Sequence, residues 1–342
     1  MPYNREVTLL GYSILSKYRS ELMGAAMLWV MLFHASDLDF SLEPLNWLRA
    51  AGFGGVDVFI VLSSMGLAMS LQKREPDYPS FMVRRAWRIL PAYYAVMAPY
   101  TLWGIAREIA VPSALFWNAS LFYYWTRPVG AFNWYVSGAM LFYALTPFCF
   151  HRLRRAKNRA LWTAAGIFLS LLLCQLLMRD GWWQYMDVFY RVPLFLLGLL
   201  LGFYVWEDRL LRPGDLLFWG LSLAAGTAYL VFVRRTMYDF APLAHLFLFT
   251  TVPMCLTGCF LFETLPLGWL RKFLRLVGEN SLEIYLLNVS VFSETALLEG
   301  LTGLGSSLWL HCFLMFALNI ALGVLLRRGT EALKGQIFLG VT

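Results

Sequence analysis

Apolar runs of about 20 residues recur along almost the whole chain, and short polar connections between them carry most of its lysines and arginines. A run of that length suits a helix crossing the hydrocarbon core of a bilayer, where only helices and closed barrels satisfy every backbone N–H and C=O. Charged residues make up 14% of the 342, against about 25% in soluble domains. Too few polar side chains remain to coat a globule of this size. The reading is therefore all-α, a polytopic membrane protein forming one transmembrane domain over residues 1–342. Ten spans are expected, at about 22–40, 52–71, 87–105, 132–150, 160–178, 186–206, 216–233, 241–262, 280–297 and 306–326. Ser113 to Tyr124 is apolar but too short to span, so it is expected at the interface or re-entering between helices.

The basic residues orient these spans. With the amino terminus cytoplasmic, 21 of the 28 lysines and arginines fall on inner connections. Arg49, Arg107, Arg127, Arg179, Arg234 and Arg235 fall outside, and Arg191 lies within a span. That asymmetry follows the positive-inside rule, and an odd number of spans would scramble it. Both termini are expected in the cytoplasm. The net charge of +7 thus reads as topology rather than nucleic-acid binding, since the clusters sit between apolar segments. Cys149, Cys174, Cys255, Cys259 and Cys312 lie in or beside apolar runs without metal or redox spacing and read as packing residues. The first apolar run follows a polar lead and no small-residue cleavage pattern, so it is expected to be retained.

Ionisable side chains inside spans are costly and therefore informative. His34 ends LWVMLFH near the outer end of the first span, and Asp57 in GGVDVF lies at similar depth in the antiparallel second. A histidine oriented by a carboxylate can act as a general base toward a hydroxyl. The plainer alternative is a packed histidine at a helix end and an aspartate that pairs or caps. Asp37 and Asp39 follow as weaker candidates for an acceptor site. Arg191 opens RVPLFLLG and needs an anionic or carbonyl partner, for which Asp57 and Asp187 are the candidates. In FMVRRAWRILP, Arg84, Arg85 and Arg88 have helical spacing, suited to phosphate oxygens near a helix start or to a plain inner-face anchor. HRLRRAKNR reads as an anchor alone. Glu283 near the inner mouth and the deeper Asn288 mark the ninth span. There is no GxSxG, Walker loop, dinucleotide fingerprint or HExxH in the sequence.

Six segments in order resemble the acyltransferase-3 family of integral-membrane O-acyltransferases: ELMGAAMLWVMLFHA, GGVDVFIVLSSMGLAMS, PSFMVRRAWRILPAYY, WYVSGAMLFYALTP, RVPLFLLGLLLG and LVGENSLEIYLLN. The resemblance implies a catalytic His34 with Asp57 beside it, and Arg85, Arg88 and Pro91 at the acyl-CoA donor. Several positions depart from the family pattern. An arginine common there is Met23 here, with Arg19 one turn further out; a common acid is Ala139, a frequent histidine is Asn288, and SGF is SSM at Ser64 and Met65.

The expected activity is transfer of an acyl group, acetyl, from cytosolic acyl-CoA to a hydroxyl of a cell-surface glycan, at a bacterial cytoplasmic membrane and with no permanently bound cofactor or metal. Arg84, Arg85 and Arg88 would hold the CoA phosphates, His34 would be the base and Asp57 its orienting partner. Arg191 or Asn288 would steady the oxyanion. A transporter or flippase using the same buried residues, and a sensor that binds CoA without turnover, are the rival readings.

Overall fold

A computed structural model describes residues 10–35, 38, 40–128, 130–236, 246–292 and 308–339. Asp37 and Asp39, part of the expected first span, and the ends of the expected eighth, ninth and tenth spans fall outside the described residues. The described elements are α1 (Ile14–Lys17), α2 (Arg19–His34), α3 (Glu43–Ala50), α4 (Gly55–Lys73), α5 (Tyr78–Ala106), α6 (Ser113–Ala119), α7 (Tyr123–Thr126) and α8 (Trp134–Arg155). They continue with α9 (Arg159–Arg179), α10 (Met186–Phe189), α11 (Val192–Trp206), α12 (Pro213–Thr236), α13 (Leu246–Thr264), α14 (Gly268–Glu279), α15 (Ser281–Leu287), a π-helical turn (Asn288–Phe292) and α16 (Leu308–Leu339). Among the described residues no strand forms beyond one isolated bridge between Gly11 and Leu210.

Among the described residues six segments are long and apolar enough to cross a bilayer: Glu43–Lys73, Arg159–Arg179, Trp183–Trp206, Pro213–Phe232, Phe247–Thr264 and Cys312–Gln336. They answer to six of the ten expected spans, and the chain is an integral membrane helical bundle. The other four are helical but shorter or more polar. α2 has 16 residues, α15 only seven, and α5 begins nine residues before its expected span so that it carries the arginines.

One expected span is interrupted, and one helix was not expected. The sixth breaks at Tyr190 and Arg191 because Pro193, in the first turn of α11, has no N–H to continue the ladder from α10. Ahead of the ninth, the strongly amphipathic α14 had no counterpart among the expected spans, and it buries Leu274, Val277 and Gly278.

The centre of the bundle is the packing of α4 on α11 and of α2 on α14. Gly198 and Gly202 of the GLLLG stretch let α11 approach α4 closely, since a Cβ at Gly198 would lie 2.0 Å from Ser64 Oγ and 2.4 Å from the Val61 carbonyl. Small residues four apart commonly permit such contact in membranes. Gly24 does the same against α14, where a Cβ would lie 1.9 Å from the Leu274 carbonyl. Around these crossings Met27, Met31, Leu62, Met65 and Phe203 are fully enclosed. The two close approaches hold α2 and α4, and hence the residues they carry, in fixed relation.

Candidate active site

Two cavities among the described residues hold the side chains singled out in the sequence. The first, about 250 Å³, collects Arg85 and Arg88 from α5, Arg19 from α2 and Arg327 from α16. Tyr135 and Tyr143 of α8 and Glu283 of α15 complete much of its wall. Along α4 it runs from Leu67 to Val56, about 16 Å at 1.5 Å per residue. Arg85 Nη2 donates to Ser70 Oγ at 3.1 Å, and its guanidinium lies 5.1 Å from the centre of the Phe81 ring. Arg84 is exposed and is not part of this wall, which corrects its grouping with the other two. The start of α5 is also taken, because the Asp77 carboxylate caps it by accepting from the Ser80 N–H at 3.1 Å. An anion entering here would meet arginine side chains rather than a free helix terminus.

Arg19 compensates in space for Met23. Both line the first cavity, and the Arg19 guanidinium lies over Gly66 while its Nε donates to the Leu62 carbonyl at 3.0 Å. Arg19 was noticed in the sequence only as a displaced residue; its position fifteen residues before His34, on the same helix, was the available signal. Arg327 carried no signal beyond topology.

The second cavity, about 470 Å³, contains His34 and is walled by Tyr124, Phe132, Asn133, Trp134, Trp183 and Tyr285, with Gln184 and Asp187 contributing polar groups. His34 Nδ1 lies 3.0 Å from the Val30 carbonyl, one turn back on α2. A carbonyl only accepts, so Nδ1 carries the proton and Nε2 is the basic nitrogen of the neutral ring. The Asn288 side chain comes within hydrogen-bonding reach of the same imidazole. Its buried Oδ1 has no hydrogen-bond partner among the described residues.

Asp57 does not orient His34. Its Oδ1 faces Arg191 Nε at 3.0 Å, and the two side chains form a nearly enclosed ion pair between α4 and the start of α11. Arg191 Nη1 also donates to the Asp187 carbonyl at 2.5 Å, and its guanidinium lies 4.7 Å from the Trp134 ring. It therefore pairs with the carboxylate of Asp57 but only the backbone of Asp187. Neither member of the pair lines either cavity. The histidine tautomer is set by backbone, and the aspartate answers a buried cation.

Of the other departures, Ala139 packs with Ile89, Tyr93 and Leu286 in a hydrophobic cluster. Ser64 donates to the Ile60 carbonyl at 2.7 Å and abuts Gly198, a packing role. The four cysteines that pack fully, Cys149, Cys174, Cys255 and Cys259, are buried as expected. Tyr285 carried no signal in the sequence beyond its apolar helix, although among the described residues it alone walls both cavities.

The described residues thus form a membrane-embedded helical bundle that holds an arginine-lined cavity and a histidine-bearing one. The family model of the acyltransferase domain, acyltransferase-3, matches residues 24–328, and the chain belongs to that family. It is 27% identical over 295 residues to the exopolysaccharide production protein ExoZ of Rhizobium meliloti (strain 1021), covering 81% of this chain and 86% of that protein. It is 30% identical over 199 residues to the putative membrane-bound transacylase BcsY of Komagataeibacter xylinus, covering 52% of this chain and 49% of that one. No solved structure matches the chain.

Proposed function

We propose that this protein transfers an acyl group, acetyl, from acyl-CoA to a hydroxyl of an envelope polysaccharide at the bacterial cytoplasmic membrane. The observation that carries the reading is the pairing of an arginine-lined cavity with a second one holding a histidine whose Nδ1 is engaged by a backbone carbonyl. The name of the relative ExoZ supports a polysaccharide as acceptor.

Arg85, Arg88 and Arg19 would hold the phosphates of the donor at the cytoplasmic rim, and the pantetheine arm would extend along α4 toward Tyr285. The acceptor hydroxyl would enter from the His34 side. His34 Nε2 takes its proton as the oxygen attacks the thioester carbonyl; the tetrahedral intermediate collapses, the C–S bond breaks, and the imidazolium returns the proton to the leaving thiolate. Asn288 is the remaining candidate to steady the oxyanion, because Arg191 is engaged by Asp57.

The test is equilibrium binding of acetyl-CoA to the full chain purified in detergent. Charge-assisted hydrogen bonds contribute about 1.5–3 kcal/mol each, so Arg85→Ala/Arg88→Ala should weaken binding at least tenfold. His34→Gln should bind within about twofold of the intact chain and transfer nothing. Absence of saturable binding to folded, intact protein overturns the reading and favours transport.

A further inference from the structure

The two cavities do not merge, and the side chain between them is that of Tyr285. It lines both the arginine cavity and the histidine cavity, and no other described residue belongs to both. The order along its helix is consistent with a boundary: Glu283 and Tyr285 face the first cavity, while Tyr285 and Val289 face the second. Tyr285 is 6% exposed. Its ring meets Tyr135 edge to face, with centroids 5.1 Å apart, and the Asn133 side chain hydrogen-bonds its hydroxyl. Three residues on, the helix loosens into the π-helical turn that begins at Asn288, beside His34. Irregular turns of this kind occur mostly at functional positions.

We propose that Tyr285, backed by Tyr135, is the stop that limits the acyl group of the donor to the shortest chains. The inference rests on the acyl-CoA reading above and assigns it a selectivity. If the donor lies along α4 with its phosphates at the arginines, its thioester reaches Tyr285, and the acyl carbons project toward the ring. An acetyl methyl fits against the aromatic pair. A longer tail would have to displace a ring held by an edge-to-face contact, or fold back along its own path into the space of about 250 Å³ that the pantetheine arm already occupies. With the ring removed, the first cavity opens into the aromatic-lined second one, which is large enough to take an extended tail. Tyr285 is thus a specificity-determining residue; the proton chemistry remains with His34.

The experiment is equilibrium binding of CoA, acetyl-, butyryl- and hexanoyl-CoA to the full chain in detergent, for the intact sequence, Tyr285→Phe and Tyr285→Ala. A methylene that a pocket cannot house changes affinity by roughly 10–200-fold. The intact protein should bind acetyl-CoA best and hexanoyl-CoA at least tenfold more weakly. Tyr285→Phe keeps the ring and should keep that profile. Tyr285→Ala should bring hexanoyl-CoA to within about threefold of acetyl-CoA, and Tyr285→Val serves in its place if the alanine variant does not fold. Equal binding of acetyl- and hexanoyl-CoA by the intact protein, or an unchanged profile in a folded truncation, overturns the inference while the donor reading stands. No binding of any CoA species by the folded intact protein overturns the donor reading itself.

Discussion

Replacing Arg191 with methionine should expose how much of this bundle hangs on one buried charge. Methionine retains much of the aliphatic volume but leaves the Asp57 carboxylate, which lies 3.0 Å from Arg191 Nε, without its counter-charge. Breaking a buried pair from one side costs about 3–5 kcal/mol. An independent bound comes from protonation, the route by which the stranded carboxylate can shed its charge. From an ordinary value near 3.9, holding the proton at pH 7 costs about 4 kcal/mol at 1.36 kcal/mol per unit. Loss of the cation–π contact with Trp134 adds about 1 kcal/mol. Arg191→Met should therefore be destabilised by about 4–5 kcal/mol in a reversible unfolding titration of the purified protein. Asp57→Asn/Arg191→Met, which removes both charges, should recover to within about 2 kcal/mol of the intact chain. The sign with pH follows from proton counting. The folded single variant holds a proton that its unfolded chain lacks above pH 4, so its deficit should shrink by about 1.4 kcal/mol for each unit of acidification. Since neither residue lines a cavity, the double variant should also bind acetyl-CoA normally and transfer the acyl group. A single variant no worse than the double, or a deficit indifferent to pH, would refute the ion-pair argument. A stable double variant that binds donor but transfers nothing would return Asp57 to the chemistry.

Two further substitutions probe the frame around the site. Gly198→Leu should destabilise the protein by about 3 kcal/mol or more in the same titration, because overpacking alone costs about 1–3 kcal/mol and the first added carbon already collides with Val61 and Ser64. Adding Ser64→Ala should not rescue it, since the Val61 carbonyl remains. Glu75, in the connection after α4, hydrogen-bonds and pairs with Arg154 and also pairs with His151, both on α8; Arg154 first, and then His151, hold its carboxyl below the usual glutamate range. Its contribution should be present near neutral pH and vanish as pH falls through that lowered value. Solvent screens the pair, so Glu75→Gln should cost well under 1 kcal/mol at pH 7 and nothing measurable in acid.

The parts of this architecture legible in the sequence are those that burial in lipid dictates locally. Apolar length marks the helices, and the cost of an intramembrane charge singles out His34, Asp57 and Arg191. What was not legible is which of those groups face each other. Sequence depth puts His34 and Asp57 level on adjacent helices, yet rotation about the helix axis decides partners, and the cation-bearing α11 packs on α4 closely enough for Arg191 to take the carboxylate. The amphipathic α14 escaped the span reading because its polar face, with Arg271, Lys272 and Arg275, breaks every apolar window. Tyr285 escaped it for a different reason. An apolar helix in a membrane carries aromatic residues for many purposes, and only the meeting of two cavities distinguishes this one.

The length of α2 bears on how such a site can work within a bilayer. Its 16 residues extend about 24 Å, short of a hydrocarbon core of about 30 Å. The helix ends on His34, where the Ala35 N–H bonds back to the Met31 carbonyl. A full-length helix would carry its backbone past the histidine and close the space above it. Stopping there leaves His34 in the wall of a cavity rimmed by Trp183, Gln184 and Asp187, groups suited to a hydrated rather than a lipid boundary. At its other end the same helix brings Arg19 into the arginine cavity. One short helix thus carries a residue of each cavity, and the Gly24 contact with α14 fixes it between them. On the proposed reading, a bulky anionic donor and a bulky polar acceptor can each stay at its own rim, and only a thioester and a hydroxyl need meet inside.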